Sequence, residues 1–218
     1  MANGRTSTAI LEAARALRPR LLAEREHLEA SRRLSEELAQ ELARAGFFRI
    51  FLPATYGGLD LTPMEAMEVY EELARADASV AWCVWNGNVH WTTARLSKEV
   101  AQEVFASPNM ILANSTRPTG RATVVDGGYR VNGRWSLVSG CQISTWFILM
   151  CIVHEDGKPR LTPSGRRNSD SCSARPPIAP SSIRGRSADC AALAVTMSWL
   201  RIASYRPGMR LSTLTQSC

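Results

Sequence analysis

The sequence predicts an α+β fold, an all-helical N-terminal domain followed by an antiparallel, barrel-like β-domain that stops short of completion. Three observations carry this expectation. Leucines recur at helical intervals from Thr8 to Ala45, and a two-residue alternation of apolar and polar residues runs from Tyr129 toward Ser139. After Ser164, lysine, glutamate and every helical period disappear together. The domains expected are residues 1–108 (helical), 109–164 (partial β-domain) and 165–218 (an aberrant, mostly disordered tail).

Leu17, Leu21, Leu28, Leu34, Leu38 and Leu42 define two amphipathic helices, interrupted near Pro19 and closed by Gly46 as a C-terminal cap. Phe47 to Leu52 then leads through Pro53 into the Gly57-Gly58 turn. Thr62 opens the next helix, with Pro63 at its first position and Glu65 placed to complete a capping box. A third helix is expected from Ala78 to Leu96, and Ser97 is expected to cap a short one ending near Phe105. In the third helix Asn86 and His90 stand four apart on one face, with Trp82 a turn further back. Spacing alone suits a core histidine better than a catalytic one.

The β-region begins at Met110. One strand is expected over 110–116, another over 121–126, and a turn at Asp126-Gly127-Gly128. Tyr129, Val131, Trp135, Leu137 and Ser139 share one parity, and Asn132-Gly133 between apolar residues is a strong hairpin signal. Trp146 to Val153 is a continuous apolar run, too short to cross a bilayer and suited to a sheet interior.

Composition narrows the function. The 218 residues are 45% hydrophobic, enough for a sizeable core. The first ten residues lack an apolar signal core and no later run could span a membrane, so a cytoplasmic location without membrane contact is expected. The six cysteines lack metal-ligand spacing, and neither a P-loop nor a dinucleotide fingerprint is present. The net charge of +6 arises wholly from the tail. Residues 1–164 hold 18 basic and 18 acidic side chains, whereas 165–218 hold 8 arginines against 2 aspartates. Such a tail suits a non-specific nucleic-acid arm, but a different explanation is preferred and no nucleic-acid partner is expected.

Three stretches carry a resemblance. Phe51 to Gly58 (FLPATYGG), Tyr70 to Ala81 (YEELARADASVA) and Gly128 to Gly140 (GYRVNGRWSLVSG) resemble, in order, signatures of the acyl-CoA dehydrogenase fold superfamily. The resemblance implies a helical domain, a β-domain that holds one face of a flavin, and a C-terminal four-helix bundle, here missing. Leu137 stands where the dehydrogenases carry a tryptophan, and the Gly-Arg-Trp and Ser-Gly pattern is more similar to the flavin-dependent monooxygenases of this fold. In that branch a partner reductase supplies reduced flavin, FMN or FAD, which uses oxygen to hydroxylate an aromatic substrate. The alternatives are an acyl-CoA dehydrogenase acting on an acyl-CoA, and a non-enzymatic basic-tailed binding protein.

The resemblance implies that Trp82, Asn114, Ser115, Ser139 and Gly140 face the flavin, and that His90 orients or deprotonates a phenol. No metal site is expected. Intact members of the family are expected to form homotetramers. The tail is read as a change of reading frame near Gly165. In the shifted frame, 183–207 permits TWxVxGLRGTGSHDVVVEDCELP, which resembles the family's last β-domain strands. The chain as written is therefore expected to expose an unpaired sheet edge and to be inactive.

Overall fold

The computed structural model describes residues 3–90, 98–125, 128–161, 163, 165–167, 169–174, 183–184 and 192–200. Helix α1 spans Asn3–Ser31 without a break at Pro19, which corrects the expected interruption. Ile10, Ala14, Leu17, Leu21 and Leu28 are all buried along one stripe, whereas Pro19 is exposed. The carbonyl that Pro19 leaves without an N–H therefore lies on the solvent side, and the buried stripe holds the helix together.

Helix α2, Glu36–Arg44, starts where the Ser35 hydroxyl accepts from the Leu38 amide at 3.2 Å. It stops at Gly46, whose φ of 89° lets the Phe47 amide reach back to the Leu42 carbonyl at 3.0 Å. Helix α3, Pro63–Ala76, has the full capping box of Thr62 and Glu65. Helix α4, Ala78–Gly87, follows after one residue, because the Asp77 carboxylate accepts from the Ser79 and Val80 amides at 2.8 and 3.2 Å. Helix α5 is Lys98–Phe105. Ser97, its expected cap, lies outside the described residues.

Strand β1, Leu112–Val125, is one strand where two were expected. It meets β2, Gly128–Trp135, in antiparallel register across the expected 126–128 turn, of which residues 126 and 127 lie outside the described residues. Asn132-Gly133 does not turn: β2 runs straight through it. The glycine is needed for packing, since a Cβ at Gly133 would come within 2.6 Å of the Trp135 ring and 2.7 Å of the Gly120 Cα. Strand β3, Trp146–Glu155, pairs with β1 in parallel, which corrects the antiparallel, barrel-like expectation to an open mixed sheet. The connection 136–145 carries the chain back across the sheet end. There the Thr145 and Trp146 amides both donate to the Ile111 carbonyl, seating the start of β3 beside the start of β1.

Four further strands complete the sheet: β4 (Lys158–Pro159) and β5 (Ser169–Ala174) against β3, β7 (Ala192–Leu200) against β2, and β6 (Ile183–Arg184) against β7. An unpaired sheet edge was expected; the edge of β2 is covered by a segment of the tail. Ladder hydrogen bonds are made by the backbone, so an edge accepts any segment that can lie extended beside it. No helix among the described residues is long and apolar enough to cross a membrane.

Candidate active site

The site assembles where α4 meets the end of β2. The Trp82 indole N–H donates to the Ser139 hydroxyl at 3.0 Å, bridging two elements 57 residues apart. Trp82 stacks on Trp85, with ring centroids 5.1 Å apart and planes at 25°. Both indoles are almost half exposed, at 47% and 44%. Leu137 is equally exposed and sits at φ 59°, a left-handed conformation that a leucine adopts only under external constraint. It breaks the parity expected from Tyr129 to Ser139: Val131 and Trp135 point into the sheet core, and Leu137 is turned out to solvent. Gly140, at φ 74°, completes the tight turn, in which the Cys141 amide donates to the Val138 carbonyl at 3.2 Å.

A chain of amides fixes α4 against the sheet. The Asn114 side-chain N–H donates to the Asn86 carbonyl at 3.2 Å, and the Asn86 side chain donates to the Trp82 carbonyl at 2.9 Å. Ser115 and Ser139 are both buried. The Ser115 hydroxyl donates to the Ser136 carbonyl at 3.4 Å, and Thr119 does the same to Arg134 at 2.8 Å, so β1 clasps the end of β2 from two points. Between those points β1 bulges, the register with β3 shifting between Ser115 and Gly120. Trp82, Asn114, Ser115, Ser139 and Gly140 are therefore gathered around one corner of the sheet. The burial of the Cys141 thiol in the same turn pushes it up to about 11, so it stays protonated at neutral pH.

His90 is placed differently. It is 4% exposed, and its ring meets Phe105 edge-on with centroids 5.7 Å apart. Burial lowers it to about 4, helped by the nearby Arg49 charge and opposed by a hydrogen bond with the Phe48 backbone. Arg49 itself is spent on structure, donating to the carbonyls of Gly57, Ser107, Tyr56 and Phe105 at 2.7 to 3.1 Å. The described neighbours of His90 thus lie toward α5 and Arg49, and those of Trp82 lie toward Ser139. A surface groove of about 530 Å³ runs beside Arg44, Gly46, Arg49, Tyr56 and Phe105, on the Arg49 side and apart from the tryptophans.

The expected helix from Ala78 to Leu96 ends at Gly87, and Asn88 is the reason. Its side-chain amide donates to the Phe47 and Val84 carbonyls at 2.7 and 2.8 Å and accepts from the Ile50 amide at 2.8 Å, fully buried. Of the rest of that expected helix, 91–96 lies outside the described residues. Asn88 was missed as a positioning residue, although a Gly-Asn pair after an apolar helix is recognisable stop chemistry.

Residues 5–105 match the family of acyl-CoA dehydrogenase N-terminal domains. That match, together with the sheet that follows it, shows that the chain has the fold of the acyl-CoA dehydrogenase superfamily. Within the superfamily it is similar to flavin-dependent monooxygenases. The oxygenase subunit HsaA of Rhodococcus jostii is 33% identical over 146 residues, covering 66% of this chain and 38% of that protein. The oxygenase component of the FADH(2)-dependent resorcinol hydroxylase of a Rhizobium species is 31% identical over 138 residues, covering 62% and 34%. The crystal structure of HsaA from M. tuberculosis superposes with a TM-score of 0.73 at 27% identity, over 88% of this chain and 53% of that one. The chain therefore spans well under two thirds of the relatives it matches.

Proposed function

We propose that this chain carries part of the flavin site of a two-component monooxygenase that hydroxylates an aromatic substrate. The observation that supports this reading best is the Trp82–Ser139 bridge, flanked by half-exposed Trp85 and by Leu137 in a left-handed conformation. A flat, apolar surface of indole and leucine beside one buried hydroxyl fits a ring system that is aromatic on its face and polar at its edge. The residues present thus fit one side of a flavin, FMN or FAD. When bound, reduced flavin supplies the electrons that activate oxygen for insertion into a ring C–H bond.

The roles of the chain's own residues follow from their chemistry. Ser139 and the backbone of Gly140 would hydrogen-bond the edge of the flavin, with Trp82 holding the Ser139 hydroxyl in place. Asn114 fixes the α4 backbone, and Ser115, placed with it at the flavin, would hold the side toward the substrate. Trp85 and Leu137 exclude water from the ring face. His90, neutral at pH 7 and packed against Phe105 away from the Trp82–Ser139 corner, would not reach a phenol held there. The electrons would come from a separate reductase, and assembly as a homotetramer belongs to the same reading.

The experiment is a comparison of the 218-residue chain with a version restored to the other reading frame after Ser164. Each is mixed with reduced FMN or FAD, oxygen and a panel of phenols, and in parallel with acyl-CoAs and an electron acceptor. Hydroxylated phenol from the restored version supports the proposal. Oxidation of acyl-CoAs alone would overturn it. An intact frame in the gene, with hydroxylation by the unaltered chain, would overturn the frame-change reading of the tail.

A further inference from the structure

Five arginines of the helical region are matched with acids or carbonyls, whereas those of β1 and β2 have no ion pair among the described residues. Arg18, Arg20 and Arg75 each lie within 4.0 Å of a glutamate. Arg25 and Arg49 donate to backbone carbonyls. Between Phe105 and His154 the sequence holds four arginines, at 117, 121, 130 and 134, and one acidic residue, Asp126. All four arginines are exposed, and among the described residues none of them has an ion pair.

Strand register puts three of them together. Arg121 lies opposite Asn132, so Arg130 and Arg134 are its two diagonal neighbours across the β1–β2 pair, about 7–8 Å away by sheet geometry. Alternation sends all three to the solvent face, since Ala122, Val131 and Trp135 between them are buried. Arg117, in the exposed bulge, extends the cluster toward Ser115. On the far side of β2, strand β7 contains no acidic residue. Like charges at this spacing repel one another, and an acidic partner relieves that repulsion.

We infer that the solvent face of β1 and β2 is a docking surface for an acidic patch on a second protein. This inference rests on the proposed function, in which the partner is the flavin reductase. The face abuts the flavin-facing corner: the Arg134 carbonyl accepts from Thr119, and the Ser136 carbonyl two residues on accepts from Ser115. A protein seated on the arginines would thus stand at the mouth of the site. Single-stranded nucleic acid is the less fitting polyanion, because the aromatic residues of β2 cannot serve as stacking platforms: Trp135 is buried and Tyr129 packs against the sheet core.

The test uses the whole chain and fluorescently labelled poly-L-glutamate as an acidic polypeptide, followed by anisotropy. Binding is expected to weaken on the order of tenfold between about 50 and about 200 mM salt. The triple variant Arg121→Gln, Arg130→Gln, Arg134→Gln is expected to bind about tenfold more weakly, since attraction between surface charges scales with the charge removed. Should that variant fail to fold, R121Q, R130Q and R134Q singly, each expected to lose about twofold to threefold on the same ground, carry the test. A control variant replaces Arg166, Arg167 and Arg175 of the tail with Gln and is expected to bind normally. Unchanged binding by the sheet variants, or tighter binding of a thymidine oligonucleotide of equal charge through the same arginines, would overturn the inference. Flavin binding, titrated in the same preparations, is expected to be unaffected by the sheet variants. Its absence in every preparation would count against the proposed function and leave the arginine result readable by itself.

Discussion

The buried imidazole of His90 makes the stability of this protein depend on pH in a predictable way. Its folded value of about 4 lies below the 6.5 of a free histidine, so between those limits the unfolded chain binds more protons than the folded one. The stabilisation from burying a neutral ring is complete above pH 6.5 and is lost as pH falls toward 4. At about 1.36 kcal/mol per pH unit, the whole span is worth about 3 kcal/mol. A His90→Gln variant removes the titrating group while keeping a polar side chain of similar reach. Urea denaturation of both proteins at pH 7, 6, 5 and 4.5 measures the difference, and subtracting one series from the other removes the carboxylates common to both. The gap between the two proteins should shift in favour of the variant by about 2–3 kcal/mol as the pH falls. A gap that stays constant within about 0.5 kcal/mol would show that His90 is not buried as described.

Asn88→Ala should cost about 3–5 kcal/mol, because it leaves the Ile50 amide and two carbonyls buried without their partner; thermal or urea unfolding checks this. Gly120→Ala should destabilise by about 1–3 kcal/mol through overpacking, since its Cβ would fall 2.0 Å from Trp135 and 2.9 Å from the Cys151 sulfur. The double change Gly120→Ala, Trp135→Phe should recover part of that loss. Ser139→Ala and Trp82→Phe should each cost only about 1 kcal/mol of stability, since the bond they break joins a buried hydroxyl to an indole that is almost half exposed. Each should nevertheless weaken reduced flavin about tenfold in an anaerobic titration if the bridge positions Ser139, and equal affinity in all three proteins would deny the bridge that role.

What the sequence determined by itself was local. The Thr62 cap and the Gly46 stop were legible, and the Ser35 cap and the Asp77 break, not singled out from the sequence, are just as local: each depends on bonds spanning two to five residues, and such chemistry is written in adjacent letters. The helix-then-sheet order and the superfamily were legible for a related reason: three local signatures stood in a recognisable sequence. Trp82, Asn114, Ser115, Ser139 and Gly140 came from that resemblance, and their periodicity alone would not have singled them out.

Only the tertiary structure decided the rest. Pro19 is tolerated because its orphaned carbonyl faces solvent while five apolar side chains on the other side are buried. Asn132-Gly133 has hairpin letters, but Trp135 and Gly120 occupy the space a Cβ would need, so the glycine serves packing within a continuous strand. The parallel pairing of β1 with β3 and the service of Asn88 to Phe47 and Ile50 join residues far apart in the chain. No window of sequence contains both partners of such a contact. The same holds for His90: its spacing put it on the helix face of Asn86 and Trp82, and Phe105, Phe48 and Arg49 gave it a buried, neutral place of its own.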